Sequence, residues 1–72
     1  MKYFVVEIQT LKAGGTAQSI TSYDTIESAK SAYHSACASN YISTALSGFS
    51  VVCLNEHGGQ EERTYYEFST ED

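Results

Sequence analysis

The spacing of hydrophobic residues changes along the chain, and each change predicts a new element. Between Lys2 and Leu11, β-branched and aromatic residues dominate, which predicts a strand with Phe4 on one face and Val5 on the other. A Gly-Gly pair at 14–15 predicts a tight turn, because glycine takes the positive φ angles that hairpins require. Residues 17–23 then form a weaker return strand.

A helical period begins after this hairpin. Asp24-Thr25-Ile26-Glu27 has the spacing of a capping box, which predicts that Asp24 caps the helix. The residues that follow at helical intervals make one small, mostly apolar stripe: Ile26, Ala29, Tyr33, Ala36, Cys37 and Asn40. Residues 41–47 fit either a further helical turn or a packed loop, with Gly48 as a stop signal.

A second hairpin completes the pattern. Residues 49–55 predict a third strand, the glycine pair 58–59 a turn, and residues 60–68 a fourth strand. The order ββαββ predicts an α+β domain in which one helix packs on one face of an antiparallel four-stranded sheet. At 72 residues the chain is one small domain, 1–72, and we expect 69–72 to be a frayed acidic tail.

A single helix covers only one side of such a sheet, yet the first and third strands are apolar in both phases. Tyr3 and Val5 oppose the set that contains Phe4. Strands with apolar residues on both faces normally pack against other parts of the protein, or a second copy, on both sides. The sequence therefore predicts self-association, as a dimer or higher oligomer, with a second-face or oligomer contact formed by Tyr3, Val5 and Tyr66.

The acidic charge is concentrated near the C-terminus. Residues 56–72 carry six acidic side chains against Arg63 alone, which accounts for the whole net charge of −5. Nucleic-acid binding requires clustered Lys and Arg, so four basic residues in the chain argue against direct nucleic-acid contact. An acidic strand instead suits a partner protein with a basic surface. The predicted partner surface consists of Glu61, Glu62, Arg63, Tyr65 and Glu67.

Few residues suggest catalysis or metal binding. His34 and Cys37 lie close on the predicted helix, but a zinc site requires four ligands, and only Cys53 and His57 remain, without paired spacing. Glu56 precedes His57 in a turn, where we expect consecutive side chains to point apart rather than form an acid-base pair. The sequence thus predicts no catalytic residue, no metal and no cofactor.

The predicted location is the cytoplasm. The N-terminus has no charged region followed by a long apolar run, and no segment has the roughly 18 apolar residues of a membrane span. In that compartment we expect Cys37 and Cys53 to be reduced, buried thiols.

Several segments carry a resemblance beyond the fold: the opening MKYFVVEIQT, Ser22-Tyr23-Asp24, Tyr33-His34-Ser35 and residues 51–58. In these segments the chain resembles a group of short uncharacterised proteins of phages, prophages and gut Firmicutes. The acidic, tyrosine-rich segment after Gly59 departs from the shorter basic ending of that group. The resemblance implies no catalytic residue. It implies a setting in which short accessory proteins bind and block host proteins, defence proteins among them.

Charge and resemblance together lead to two functional hypotheses. The first is a non-enzymatic phage or mobile-element accessory protein that inhibits a host protein by stoichiometric binding. The alternative is an oligomeric sponge that sequesters a small nucleotide signal, with strand tyrosines as stacking platforms. The sponge lacks basic neighbours for the phosphates, so the first hypothesis is preferred.

Overall fold

The structure is a computed structural model that describes residues 1–68. It contains the strands β1 (Tyr3–Leu11), β2 (Thr16–Tyr23), β3 (Leu46–Asn55) and β4 (Gln60–Glu67), with the helix α1 (Ile26–Tyr41) between β2 and β3. The predicted ββαββ class, with one antiparallel sheet and one helix, is confirmed. The predicted frayed tail, 69–72, lies outside the described residues.

The two hairpins join through their first strands. The sheet order is β2-β1-β3-β4, with every neighbouring pair antiparallel. Since β2 and β3 both run antiparallel to β1, they are parallel to each other, and α1 forms the crossover between them. The helix consequently lies across one face of the sheet and packs on β1, β3 and β2.

Both hairpins close with the same two backbone hydrogen bonds. At the first turn, the N–H of Gly14 donates to the Leu11 carbonyl (3.0 Å), and the N–H of Leu11 donates to the Gly15 carbonyl (3.1 Å). The second turn repeats both bonds between Asn55 and the pair 58–59, at 3.0 and 2.9 Å. The first glycine of each pair has a φ of +106° or +83°, in the left-handed region that glycine adopts at little cost.

The core lies between α1 and the sheet. Its small helical residues, Ala29 among them, allow the helix axis to approach the strands. The Tyr33 side chain extends from α1 to β4, where its hydroxyl forms a hydrogen bond with the Thr64 hydroxyl. The predicted helical stripe is confirmed at Ala29, Tyr33, Cys37 and Asn40, which are all buried. The buried hydrophobic residues are Val5, Ala29, Tyr33, Cys37, Leu46, Phe49, Val51 and Cys53.

The predicted helix cap at Asp24 is wrong by one residue. Thr25 has extended backbone, and its hydroxyl accepts the N–H of Ser28 at 3.2 Å. Asp24 instead forms an ion pair with Lys2, at 2.6 Å from carboxylate to ammonium. The pairing of Tyr3 with Tyr23 brings these two charged residues together at the end of the hairpin, so the carboxylate turns away from the helix.

Residues 41–47 follow neither open alternative completely. The helix ends at Tyr41 with Ile42 as its cap, and β3 begins at Leu46, three residues before its predicted start. Gly48 therefore lies inside a strand and is no helix stop. A Cβ added there would lie 3.1 Å from the Tyr66 carbonyl oxygen, so glycine permits the close approach of β4.

The sheet faces are exchanged relative to the prediction. Val5 is 6% exposed beneath α1. Tyr3 packs against the same core, and the Tyr66 ring lies 5.2 Å from that of Tyr41. These three residues belong to the covered face, so their assignment to a second face is corrected. β1 is apolar in both phases, so its sequence does not specify which of its faces the helix covers. The handedness of the β2-α1-β3 crossover determines this, and such crossovers are almost always right-handed.

Candidate functional site

The face of the sheet opposite α1 is uncovered, and we call it the open face. It is built by alternate residues of all four strands, as the strand registers require. Its most exposed apolar side chains are Ile20 (70%), Tyr65 (61%) and Ile8 (42%). Its members are Phe4, Val6, Ile8, Thr10, Thr16, Gln18, Ile20, Ser22, Gly48, Ser50, Val52, Leu54, Gln60, Arg63, Tyr65 and Glu67.

The β4 border of the open face carries its charge. Arg63 and Glu67 stand two residues on either side of Tyr65, so all three side chains project from the same side of the strand. Hydrogen bonding to the Glu67 carboxylate raises the pKa of the Tyr65 phenol above its ordinary value of 10.0. Tyr65 therefore remains a neutral hydrogen-bond donor at physiological pH.

A depression of about 180 Å³ opens on this face beside Tyr65. Gly48 and Ser50 form its floor, and their small size leaves space between Ile8 on one side and Glu67 on the other. Pockets for drug-sized ligands have volumes of about 300–1,000 Å³. The depression is thus suited to a single side chain of a partner rather than to a whole nucleotide.

The structure brings together three residues of the predicted partner surface and separates two. Arg63, Tyr65 and Glu67 share the open face. Glu62 lies on the covered side, because it pairs with Cys53. The register of β4 shifts next to this pair, since Leu54 pairs with Gln60, and Glu61 lies at the irregularity.

The two separated glutamates contact nearby side chains. The Glu62 carboxylate lies 3.8 Å from the ammonium of Lys30 and 3.8 Å from Nε2 of His34, both on α1. The amide of Asn55 donates to the Glu61 carboxylate at 3.3 Å. Glu62 therefore links α1 to β4, while Glu61 contacts Asn55 at the base of the second turn.

The cysteines are buried and unpaired with each other. Both Cys37 and Cys53 are free thiols in the core. Burial, followed by the charges of Glu61 and Glu62, raises the pKa of the Cys53 thiol above 9.0. A protonated thiol in the core is a poor nucleophile. Within residues 1–68, His, Cys, Asp and Glu side chains form no group of three or more that could hold a metal ion.

Glu56 and His57 lie closer than the sequence predicts. The carboxylate oxygen lies 3.9 Å from Nε2 of His57, so the expectation that the two side chains point apart is wrong. The turn exposes both groups, and Glu56 also accepts the backbone N–H of Lys2 at 2.8 Å. Neither residue lines the depression beside Tyr65.

Sequence reasoning missed a polar cluster beneath α1. Asn40 is 2% exposed, and its amide donates to the Glu7 carboxylate at 2.7 Å. The amide of Gln9 donates to the Asn40 carbonyl oxygen, also at 2.7 Å. The available signal was an asparagine on the buried helical stripe, together with polar residues in the same phase of β1 as Val5. The cluster fastens the end of α1 to the sheet.

Comparison of the chain with protein-family models, with curated proteins and with solved structures gives no match. Within the described part of the chain, α1 is neither long enough nor apolar enough to cross a membrane.

Proposed function

We propose that the protein is a non-enzymatic binding protein that inhibits a partner protein by stoichiometric contact through the open face. The observation that carries the proposal is the uncovered apolar surface, on which Ile20 and Tyr65 are 70% and 61% exposed. Large contiguous patches of exposed apolar surface are typical of interaction sites on proteins. Tyr65 and Arg63 are also of the residue types that dominate binding energy at interfaces.

The charge of the open face favours a particular kind of partner. Arg63 is the one basic side chain among its members, and Glu67 is the one acidic side chain. The whole chain has a net charge of −5. Complementary potentials accelerate encounter and select partners. The expected partner surface therefore has an apolar centre bordered by Lys or Arg.

The biological setting comes from the resemblance. Residues 1–58 resemble short proteins of phages and prophages, whose accessory proteins block host machinery. This resemblance supports a host protein as the target, a defence protein being one class, and the host cytoplasm as the place of action. The buried thiols and the raised pKa of Cys53 support a role without covalent catalysis.

The nucleotide sponge remains the competing hypothesis because Tyr65 stands beside the depression. Stacking on an exposed tyrosine is a common way to hold a base. The depression, however, has a volume of only about 180 Å³, and Glu67 in its wall repels phosphate. A nucleotide therefore fits this site less well than a protein side chain does.

A pair of matched charge reversals tests the proposal. The tagged protein captures its target from a bacterial lysate, and titration calorimetry then measures affinity and stoichiometry with the purified target. Glu67→Lys should weaken binding by about tenfold or more, because it reverses charge inside the contact. Glu27→Lys, an equal reversal on the exposed side of α1, should change affinity by less than about twofold.

Circular dichroism must show the same fold for both variants. Equal affinity of Glu67→Lys and the parent protein, at low and at physiological salt, would show that Glu67 is not part of the contact. If the purified protein released an equimolar amount of a nucleotide, detected by mass spectrometry, the sponge hypothesis would be favoured over the inhibitor hypothesis.

A further inference from the structure

We propose that two copies of the chain pair edge to edge through β2, in antiparallel orientation, to form one continuous eight-stranded sheet with four strands from each copy. This inference goes beyond the partner contact of the open face and does not depend on it. It rests on the backbone groups that β2 directs outward, on the unprotected character of this edge, and on the position of the acidic residues.

The outward backbone groups of β2 follow from its register. The N–H of Leu11 donates to the Gly15 carbonyl, and the same register pairs Gln9 with Ala17. Successive residues direct their N–H and C=O groups to opposite sides of a strand, so odd-numbered residues of β2 bond to β1. No strand within residues 1–68 lies beyond β2. The residues with outward groups are Thr16, Gln18, Ile20 and Ser22.

The two edges of the sheet differ in their protection. Natural edge strands avoid unwanted pairing through charges, prolines and bulges. β4 carries Glu61, Glu62, Arg63 and Glu67, and its register with β3 shifts near Cys53. The sequence of β2, TAQSITSY, contains no charge and no proline, and its register with β1 is uninterrupted. A long, uncharged and regular edge is a template for another strand.

A second copy of β2 satisfies this edge completely. A two-fold axis at Ser19 places Thr16 opposite Ser22 of the other copy, and Gln18 opposite Ile20. Every outward residue then has a partner, and since each such pair exchanges two bonds, about eight backbone hydrogen bonds form. The two copies of Ile20 become diagonal neighbours, within contact distance across the new ladder. Pairing thus also covers part of the most exposed large apolar side chain in a strand.

Charge favours β2 over β4 as the self-pairing edge. Two copies each carry a net charge of −5 and repel each other. β4 lies at the opposite edge of the sheet, three strand spacings or about 14 Å from β2. Pairing through β2 keeps the acidic strands at the two outer edges of the dimer. It also leaves Glu67, and the border of the open face, free for a partner.

A charge swap across the axis tests both the edge and its register. The parent protein, of 7.9 kDa, should have twice that mass by light scattering at micromolar concentration. Gln18→Lys/Ile20→Lys places like charges opposite each other and should give a monomer. Gln18→Lys/Ile20→Glu places opposite charges there and should restore the dimer. Circular dichroism should show that all three proteins have the same fold.

A cysteine at the axis gives a second, independent readout. Ser19→Cys places one thiol opposite its own copy, so mild oxidation should yield a covalent dimer on a non-reducing gel. Ser31→Cys, on the exposed side of α1, is the matched control and should remain monomeric on the same gel. The parent protein gives the background from Cys37 and Cys53, which are both buried.

Three outcomes would overturn the proposal. The parent protein could have a mass of 7.9 kDa at all concentrations tested. The double-lysine variant could remain a dimer, which would move the interface to the open face. The mass could rise without limit as concentration increases, which is the behaviour of head-to-tail pairing between β2 and β4.

Discussion

The two faces of the sheet are made from neighbouring residues of the same strands, yet they have different surroundings. On the covered face, Val51 and Cys53 are fully buried beneath α1. On the open face, Val52 and Leu54 are half-buried, and Ile20 is largely exposed. Similar side chains therefore have different exposure according to which side the helix covers. The covered face holds the fold together, and the open face leaves an apolar surface in contact with water.

The largest effect should come from placing a charge on each face in turn. Val51→Asp should prevent folding, because an unpaired buried carboxylate costs several kcal/mol, comparable with the whole stability of a small domain. Val52→Asp, one residue away on the open face, should remain folded, since its carboxylate reaches water. Circular dichroism and thermal melting distinguish the two. Unfolding of both variants would mean that the open face is as essential to the fold as the covered one.

The next effect concerns the polar cluster of the covered face. Asn40→Ala removes the amide that bonds Glu7 and the carbonyl that accepts from Gln9, so the free energy of unfolding should fall by about 1–3 kcal/mol. Ser39→Ala, at the neighbouring exposed position, should change it by less than about 0.5 kcal/mol. Urea denaturation at fixed protein concentration measures both. Equal midpoints for the two variants would show that the cluster contributes nothing to holding α1.

A smaller effect should follow from weakening the first turn of the covering helix. Thr25→Ala removes the hydroxyl that accepts the N–H of Ser28, which should cost about 0.5–2 kcal/mol. Asp24→Ala removes only an exposed ion pair and should lower the melting temperature less. A lower melting temperature for Asp24→Ala than for Thr25→Ala would show that Asp24 caps the helix.

The smallest effect should be the pH dependence of the exposed ion pair. Hydrogen bonding to Lys2, and then the charge of Lys2, lowers the pKa of Asp24 below its ordinary value of 3.8. A carboxyl with a lowered pKa stabilises the folded state above 3.8, and this stabilisation is lost as the pH falls through the lowered value. The difference in melting temperature between the parent protein and Asp24→Asn should therefore shrink below pH 3.8. Lys2→Gln should behave in the same way, and a constant difference would contradict the pairing.

Part of the candidate site was predictable from the sequence, and part was not. The charge near the C-terminus follows from composition, and the opposite orientations of Tyr65 and Tyr66 follow from strand alternation, because both depend on residues close together in the chain. The separation of Glu62 from Glu67 depends on the pairing of β4 with β3 and on the register shift near Cys53. That register is set by contacts between strands, which the sequence of β4 alone does not specify.

The local pattern of residues specifies the helix, the strands and their order along the chain. The turns depend on the positive φ angles of Gly14, Gly15 and Gly58. The spacing of Ala29, Tyr33 and Cys37 determines which side of α1 is buried. These properties act over a few residues, so the local pattern contains them. The ββαββ order then allows few arrangements, and the antiparallel sheet with one helix is the one observed.

The side of each strand that the helix covers depends on contacts between distant parts of the chain. Phe4 and Val5 are both apolar, so the pattern of β1 does not by itself specify which side faces α1. The crossover from β2 to β3 makes the choice, and its hand arises from the twist of the whole sheet rather than from any short segment. The contact of Glu7 with Asn40, 33 residues apart in sequence, exists only once that choice is made. The same choice leaves Ile8 and Ile20 uncovered, because the chain has one described helix to pack against two apolar faces.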